Sequence, residues 1–191
     1  MRHPIEAESY AILRGLLDLS HLPPLGRAVV ERVVHASADL DYVSDLVLDE
    51  EALSRGQAAL RAGAPIVADV DMVAVGITGR RVRNFVSDVR ASRLAAEVGG
   101  TRSSAAVKVA RDEVGPGAVW VVGCAPTALV TLLEIDAAPA FVVGLPVGFV
   151  GAVEAKAALR ASGLPAVSNL GPKGGSAVAA AAVNALLEDV S

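Results

Sequence analysis

Six residues, Gly171-Pro172-Lys173-Gly174-Gly175-Ser176, carry the strongest chemical signal in the sequence. They follow a short apolar run, residues 165–170, and open an alanine-rich run that ends near Leu187. Glycine lets a backbone turn tightly and approach a ligand closely. The first turn of a helix has unpaired N–H groups and a partial positive charge, and Lys173 adds a full one. Together these groups form a cradle for a carboxylate or a phosphate. The order is not that of a nucleotide-binding P-loop, in which lysine follows the last glycine and immediately precedes Ser or Thr. The same residues also suit a tight turn with a solvated lysine, and the loop alone leaves both readings open.

Other candidates are more scattered. Thr127 stands at a predicted helix start, placed either to bond a ligand or to cap the helix. Residues 144–148, Gly-Leu-Pro-Val-Gly, have no ionisable group and offer only backbone N–H groups and shape. Between Arg80 and Arg111 lie eight Lys or Arg residues against Asp88 and Glu97, a locally basic stretch that suits a small anion. Most of these charges fit solvated helix faces; Arg102 stands out because Thr101-Arg102-Ser103 is a predicted helix start. His35, near the end of a predicted helix, can exchange a proton near neutrality, although a lone helical histidine is more often structural. Asp69 and Asp71 suit a carboxylate pair, or one of them a cap for the helix that follows; the capping reading is preferred. Cys124 is the only cysteine, so no intrachain disulfide forms, and a reducing compartment is compatible.

Composition bounds the rest. A chain of 191 residues fits one domain with a substantial core. It is 53% hydrophobic but 3% aromatic, so that core is built mainly from Val, Leu and Ala. A net charge of −4 and the scarcity of aromatic platforms argue against nucleic acid as a partner. His3, His21 and His35 show no metal-ligand spacing. No secretory signal is visible near Glu6 and Glu8, and a cytoplasmic location is expected. Residues 114–133 are uncharged and reach the ~20 residues that span a bilayer. Gly115, Pro116, Gly117, Gly123 and Pro126 interrupt them into a turn, a strand and a helix start, so no membrane span is expected.

The elements that would position these groups follow a repeated order: apolar run, Gly/Pro turn, helical run. Strands are predicted over residues 64–68, 118–122, 140–143 and 165–170, with another at 84–89. Apolar runs without alternation indicate strands buried on both faces, as in a parallel sheet. Helices are predicted over 90–98, 102–113, 127–135, 149–160 and 176–187. The expected fold is α/β, a three-layer doubly wound parallel sheet of about five strands over residues 63–191. Residues 1–62 read as a helical extension, with helices near 8–19, 26–37 and 49–62, that wraps onto the sheet or a partner subunit. In such sheets ligands bind outside the carboxyl ends of the strands, where the turn residues above fall.

Several long segments occur in an order shared with a known family: RVVHASADLD from Arg32, GAPIVADVDMVAVGI from Gly63, TRSS from Thr101 and VGCAPTALVTLLE from Val122. PAFVVGLPVGFVGAVEAKAAL from Pro139 and GPKGGSAVAAAAVNALL from Gly171 complete the set. In these segments the chain resembles the precorrin-8X methylmutase family of cobalamin biosynthesis, over nearly its whole length. The resemblance implies a flavodoxin-like fold, a homodimer and no separate cofactor. It implies an isomerase that moves a methyl group between neighbouring carbons of a corrin precursor by an intramolecular 1,5-sigmatropic shift. The product is hydrogenobyrinate, or cobyrinate where the substrate carries cobalt. The family's Arg-x-x-His segment places the active histidine at His35, as a general acid toward a ring nitrogen. The substrate's acetate and propionate groups would meet Arg102, Thr127, Lys173 and the N–H groups of Gly174, Gly175 and Ser176, with Ser9, Arg14 and Thr78 as further candidates. The chain departs from the family pattern at Cys124 (usually Asn), Ala155 (usually Ser) and Pro172 (usually basic). Two other functions fit parts of the sequence: a non-catalytic corrinoid carrier, and a nucleotide-binding α/β protein, the latter lacking a G-x-G-x-x-G fingerprint.

Overall fold

A computed structural model describes residues 4–188 of the chain. The order of elements is α1 (Pro4–Leu16), α2 (Pro24–Ser37), α3 (Tyr42–Asp45), β1 (Leu46–Val47), α4 (Glu50–Arg61), β2 (Ile66–Ala68), α5 (Asp71–Gly76) and β3 (Val82–Asn84). Then come α6 (Val89–Val98), α7 (Arg102–Val114), β4 (Val119–Val122), α8 (Pro126–Glu134), β5 (Phe141–Gly144), α9 (Ala152–Ala161), β6 (Ala166–Asn169) and α10 (Ser176–Leu187).

The six strands form one sheet in the order β1-β6-β5-β4-β2-β3. Strands β2 to β6 are parallel, and only β1 runs antiparallel, pairing Leu46 with Asn169 and Val47 with Ser168. The expected five strands are therefore present, and the sixth comes from the N-terminal segment, where two residues are too short a run for a periodic signal. The strand expected at 84–89 lies earlier, at Val82–Asn84, because the chain turns at Asp88, whose side chain accepts from Arg90 N–H and starts α6. The helix expected from 149 begins at Ala152, since Gly151 at φ 76° ends the preceding loop.

Every residue of β4 and β5 is buried, which is why these strands read as unbroken apolar runs. Alternate side chains enter two cores. Val119, Val121, Phe141 and Val143 pack with residues of α2, α4, α5 and α10, whereas Trp120, Val122 and Val142 pack with α6 to α9. Helix α10 is buried at nine consecutive positions, Val178 to Leu186, because α2 covers its outer side. A helix apolar all round has to be covered all round. Residues 4–62 thus share the sheet's core: Leu13, Val29, Val30, Leu53 and Leu60 belong to the same cluster as Val121. Residues 114–133 divide between the end of α7, β4 and α8, and among the described residues no helix is long and apolar enough to cross a membrane.

Helix α4 lies so close to β5 that a Cβ on Gly56 would stand 2.7 Å from the ring of Phe141, which is fully buried. Replacing a helical glycine by alanine gains ~1 kcal/mol of helix propensity, but overpacking a rigid core costs ~1–3 kcal/mol. Crowding wins here because the ring has nowhere to move. Gly56→Ala is expected to lower unfolding stability by up to about 2 kcal/mol, measured by urea denaturation; a raised midpoint would contradict this packing.

Candidate functional site

The strand order reverses at β2, with β3 on one side and β4 on the other. Such a switch point opens a crevice at the carboxyl ends of the strands. Asp69, the first residue after β2, spans it. Its carboxylate is 5% exposed and accepts the N–H groups of Gly123 (3.1 Å), Cys124 (2.9 Å) and Ala125 (2.8 Å). Burial pushes its pKa up, and the three N–H donors oppose that shift. The expected helix-capping role is corrected: the cap position of α5 is Val70, without a side-chain bond, and Asp69 serves the loop that starts α8 instead. That loop enters α8 through Pro126, so its donors need an acceptor from elsewhere.

The glycine loop closes the same edge. Gly174 and Gly175 have φ of 157° and 129°, and a Cβ on Gly174 would lie 2.3 Å from the carbonyl oxygen of Leu145. The close approach is made by Gly175, whose N–H donates to that oxygen at 2.9 Å. Gly175 is therefore not a free donor for a ligand, which corrects its expected role; Ser176 is engaged too, its hydroxyl and N–H bonding the sulfur of Cys124. Lys173 is also not a free cation. Its Nζ lies 2.7 Å from Asp39 Oδ2 and 2.7 Å from Asp41 Oδ2, and these carboxylates hold its pKa above the ordinary lysine value. An incoming carboxylate has to compete with them.

Beneath the loop lies a cluster that none of the sequence signals singled out. Lys156 on α9 is fully buried and donates to Asn169 Oδ1 (2.8 Å), to Lys173 O (2.8 Å) and to Gly171 O. Asn169 Nδ2 donates to Asp45 Oδ2 (2.6 Å) and Lys173 O (2.9 Å). Asp45 Oδ1 accepts from Leu170 N–H (3.2 Å) and Gly171 N–H (2.8 Å). Burial lowers the Lys156 pKa to about 8, with Arg160 adding to the effect and Asp45 opposing it.

His35 occupies the last turn of α2 and is half-buried against α1. Its Nδ1 lies 2.8 Å from Ser9 Oγ, and its ring stacks on Tyr10 at 4.8 Å and 16°. One turn earlier Glu31, 8% exposed, takes both Nε and Nη2 of Arg14 (3.0 and 2.8 Å). Ser9 and Arg14 are thus brought to the histidine's helix, where Arg14 is already paired. Tyr10 and Glu31 were not foreseen; their only sequence signal is a shared spacing of about one helical turn. Past His35, α2 ends at Ala38 in the left-handed region (φ 53°), and the chain turns so that Asp39 and Asp41 reach Lys173.

A continuous rim follows from there. Gly148 N–H donates to Pro172 O (3.1 Å), Gly148 and Gly151 approach Pro126, and Thr127 Oγ1 is 2.8 Å from Thr101 Oγ1, the cap of α7 beside Arg102. Arg102 and Thr127 are therefore on one exposed rim, near the helix starts where the sequence placed them. Thr78 is not. Its N–H donates to Asn184 Oδ1 (3.0 Å), eight residues along α10 from Ser176, or ~12 Å at 1.5 Å per residue. It lines a separate cleft of about 350 Å³ with Arg80 and Asn184, away from the glycine loop of its own chain. Cys124 is half-buried, and burial together with nearby Asp69 pushes its thiol pKa up, opposite to an activated nucleophile. Among the described residues no three His, Cys, Asp or Glu side chains gather as metal ligands would.

Comparison with known proteins places this geometry. Residues 4–189 match the family described as precorrin-8X methylmutase. The cobalt-precorrin-8 methylmutase of Salmonella typhimurium is 44% identical over 96% of this chain and 93% of its own length. The precorrin-8X methylmutase of a Sinorhizobium species is 42% identical over 95% and 92%. The crystal structure of a precorrin-8x methyl mutase from Thermus thermophilus superposes with a TM-score of 0.87 at 36% identity, covering 96% of this chain and 93% of that one.

The bridge made by Asp69 generates a stability prediction. Removing its carboxylate leaves three backbone donors, one of them buried, without an acceptor, and an unsatisfied buried donor costs ~1–3 kcal/mol. Asp69→Ala is expected to lose about 2–4 kcal/mol, since water can reach part of the loop. Urea denaturation of the variant is the check; a loss below about 1 kcal/mol would mean that the switch-point loop does not depend on Asp69.

Proposed function

The chain belongs to the precorrin-8X methylmutase family, and from that premise we propose that it catalyses the methyl shift of a corrin precursor with His35 as general acid. The observation that carries this reading is the built environment of the imidazole. A stacked Tyr10 and a hydrogen-bonded Ser9 fix the ring plane and occupy Nδ1. With the Ser9 hydroxyl donating to Nδ1, the proton of a neutral imidazole sits on Nε2, the nitrogen left for a substrate. Donation from Nε2 to a ring nitrogen would draw electron density from the π-system and ease the migration of the methyl group to the neighbouring carbon. General acid help of this kind is worth ~10²–10⁴-fold in rate. The shift is intramolecular and needs no external nucleophile, which agrees with the inert setting of Cys124.

The rim supplies what the substrate's acetate and propionate groups need. Gly174 offers an N–H group at the positive end of α10, and that of Ser176 is available by exchange with the sulfur of Cys124. Arg102 and Thr127 stand farther along the edge, and Lys173 is available by exchange with Asp39 and Asp41. Charge-assisted bonds to carboxylates are roughly twice as strong as neutral ones, so several such contacts can hold the macrocycle in one orientation. Relatives of similar identity are named for precorrin-8X and for cobalt-precorrin-8; the proposed reaction is the step on the ring common to both, to hydrogenobyrinate or cobyrinate. The strand order β3-β2-β4-β5-β6 supports the flavodoxin-like reading. A homodimer is favoured by an uncovered stripe on α1, where Ile5, Ile12 and Leu16 are 71%, 59% and 63% exposed.

Purified protein mixed with precorrin-8x is expected to produce the hydrogenobyrinate spectrum. His35→Ala should retain corrinoid binding while turnover falls by ~10²-fold or more. Ser9→Ala should reduce kcat by roughly fivefold, the worth of one hydrogen bond. Full activity in the His35 variant would remove it from the mechanism, and binding without turnover in the native protein would favour a carrier.

A further inference from the structure

We propose that Lys156 is a positioning residue for substrate binding, which shapes the glycine loop from below so that the N–H groups at its end face the ligand. The role of the loop as a carboxylate cradle rests on the function proposed above; the role of Lys156 in shaping it rests on geometry alone.

An ammonium has three donors and no acceptor. Here all three are matched, by Asn169 Oδ1, Gly171 O and Lys173 O, on a side chain with no solvent exposure. A fully buried lysine is rare unless its charge is answered. Two of the three acceptors are carbonyls of the loop itself. Pulling Gly171 O and Lys173 O inward turns the intervening peptides so that the loop's carbonyl side is buried. Asp45 acts from the other flank, taking the N–H groups of Leu170 and Gly171, and Asn169 joins the two by bonding both Lys156 and Asp45. The inward-facing groups of the loop are thus assigned to protein partners up to Lys173. The donors that follow, on Gly174 and, shared with the sulfur of Cys124, on Ser176, lie where the chain enters α10. Lys156 touches no atom of the proposed substrate path, so its effect reaches the ligand only through the loop.

The charged groups around Lys156 are Asp45 at the end of α3, Arg160 one turn on along α9, and Lys173 in the loop, whose Nζ is held outward by Asp39 and Asp41. Deprotonation would leave an amine with two donors for three acceptors, two of them loop carbonyls, and so loosen its hold on the loop. With the Lys156 pKa pushed down to about 8, that release falls in an accessible range. Cys124, beside Ser176, has its thiol pKa pushed up by burial and by nearby Asp69.

Three measurements test the inference. In ligand-free native protein, the backbone amide NMR shifts of residues 170–176 other than Pro172 are expected to move together with a midpoint near pH 8. In Lys156→Met, amide hydrogen exchange over 170–176 should accelerate while α2 is unchanged. With substrate, Lys156→Met should raise KM by roughly tenfold and change kcat by less than about threefold, the split expected of lost ground-state binding; the native KM should rise above pH 8 and the variant's should not. Loop amides that stay flat between pH 7 and 9.5, or a folded Lys156→Met with native exchange and native KM, would overturn the proposal. If that variant does not fold, the native amide titration alone decides. A native protein whose loop titrates but which neither binds nor turns over a corrinoid would remove the functional reading and leave the loop-shaping role standing.

Discussion

Backbone donors and acceptors at the carboxyl edge of the sheet must all find partners, and the rest of the site follows from how this chain supplies them. Unpaired buried backbone groups cost about as much as a lost hydrogen bond. Strands that end together, each followed by a turn into a helix, concentrate such groups in one place. Asp69 takes three N–H groups after β4, Leu145 O takes Gly175 N–H, and Asp45 takes Leu170 and Gly171 N–H. Lys156 takes two carbonyls from the other side. What these partners leave at the start of α10 is what a ligand can use.

The partners come from three parts of the chain. Asp45 is in the N-terminal segment, Asp69 follows the first parallel strand, and Lys156 lies on the penultimate helix. The N-terminal segment is therefore part of the site's scaffold, and it also carries the imidazole. Its α2 covers the outer side of α10, the helix whose first turn receives the ligand in the proposed function. The ion pairs from Lys173 to Asp39 and Asp41 join the end of the histidine's helix to the glycine loop. Such exposed pairs add little stability, but they set the relative placement of two groups that act on one ring in the proposed function.

Much of the fold was legible because it rests on local rules. The buried strands read as runs such as 118–122 because both faces are covered, and the helix starts at Thr101 and Ser176 were marked by a capping hydroxyl and by glycine. The loop from Gly171 was legible for the same reason, since few residues other than glycine accept its backbone angles. The two-residue β1 was not, because a strand that short has no period and exists only through its pairing with β6. One of Asp69 and Asp71 read as a helix cap because local sequence shows only the helix that follows them, not the strand 50 residues after Asp69 whose loop it serves.

The division between the two sources of information is physical. The sequence by itself determined the α/β class, the parallel strands, the glycine turn at the mouth of the sheet and, through its long shared segments, the family and the candidate histidine. These depend on side-chain periodicity, backbone freedom and residue order. Only the tertiary structure decided that Ser9 and Tyr10 hold His35, that Gly175 and Lys173 are already engaged, that Thr78 lies ~12 Å along α10 from the loop, and that Lys156 is buried beneath it. Each of these is a contact between residues distant in sequence. Whether a polar group is free or taken depends on which partner the fold brings within about 3 Å of it.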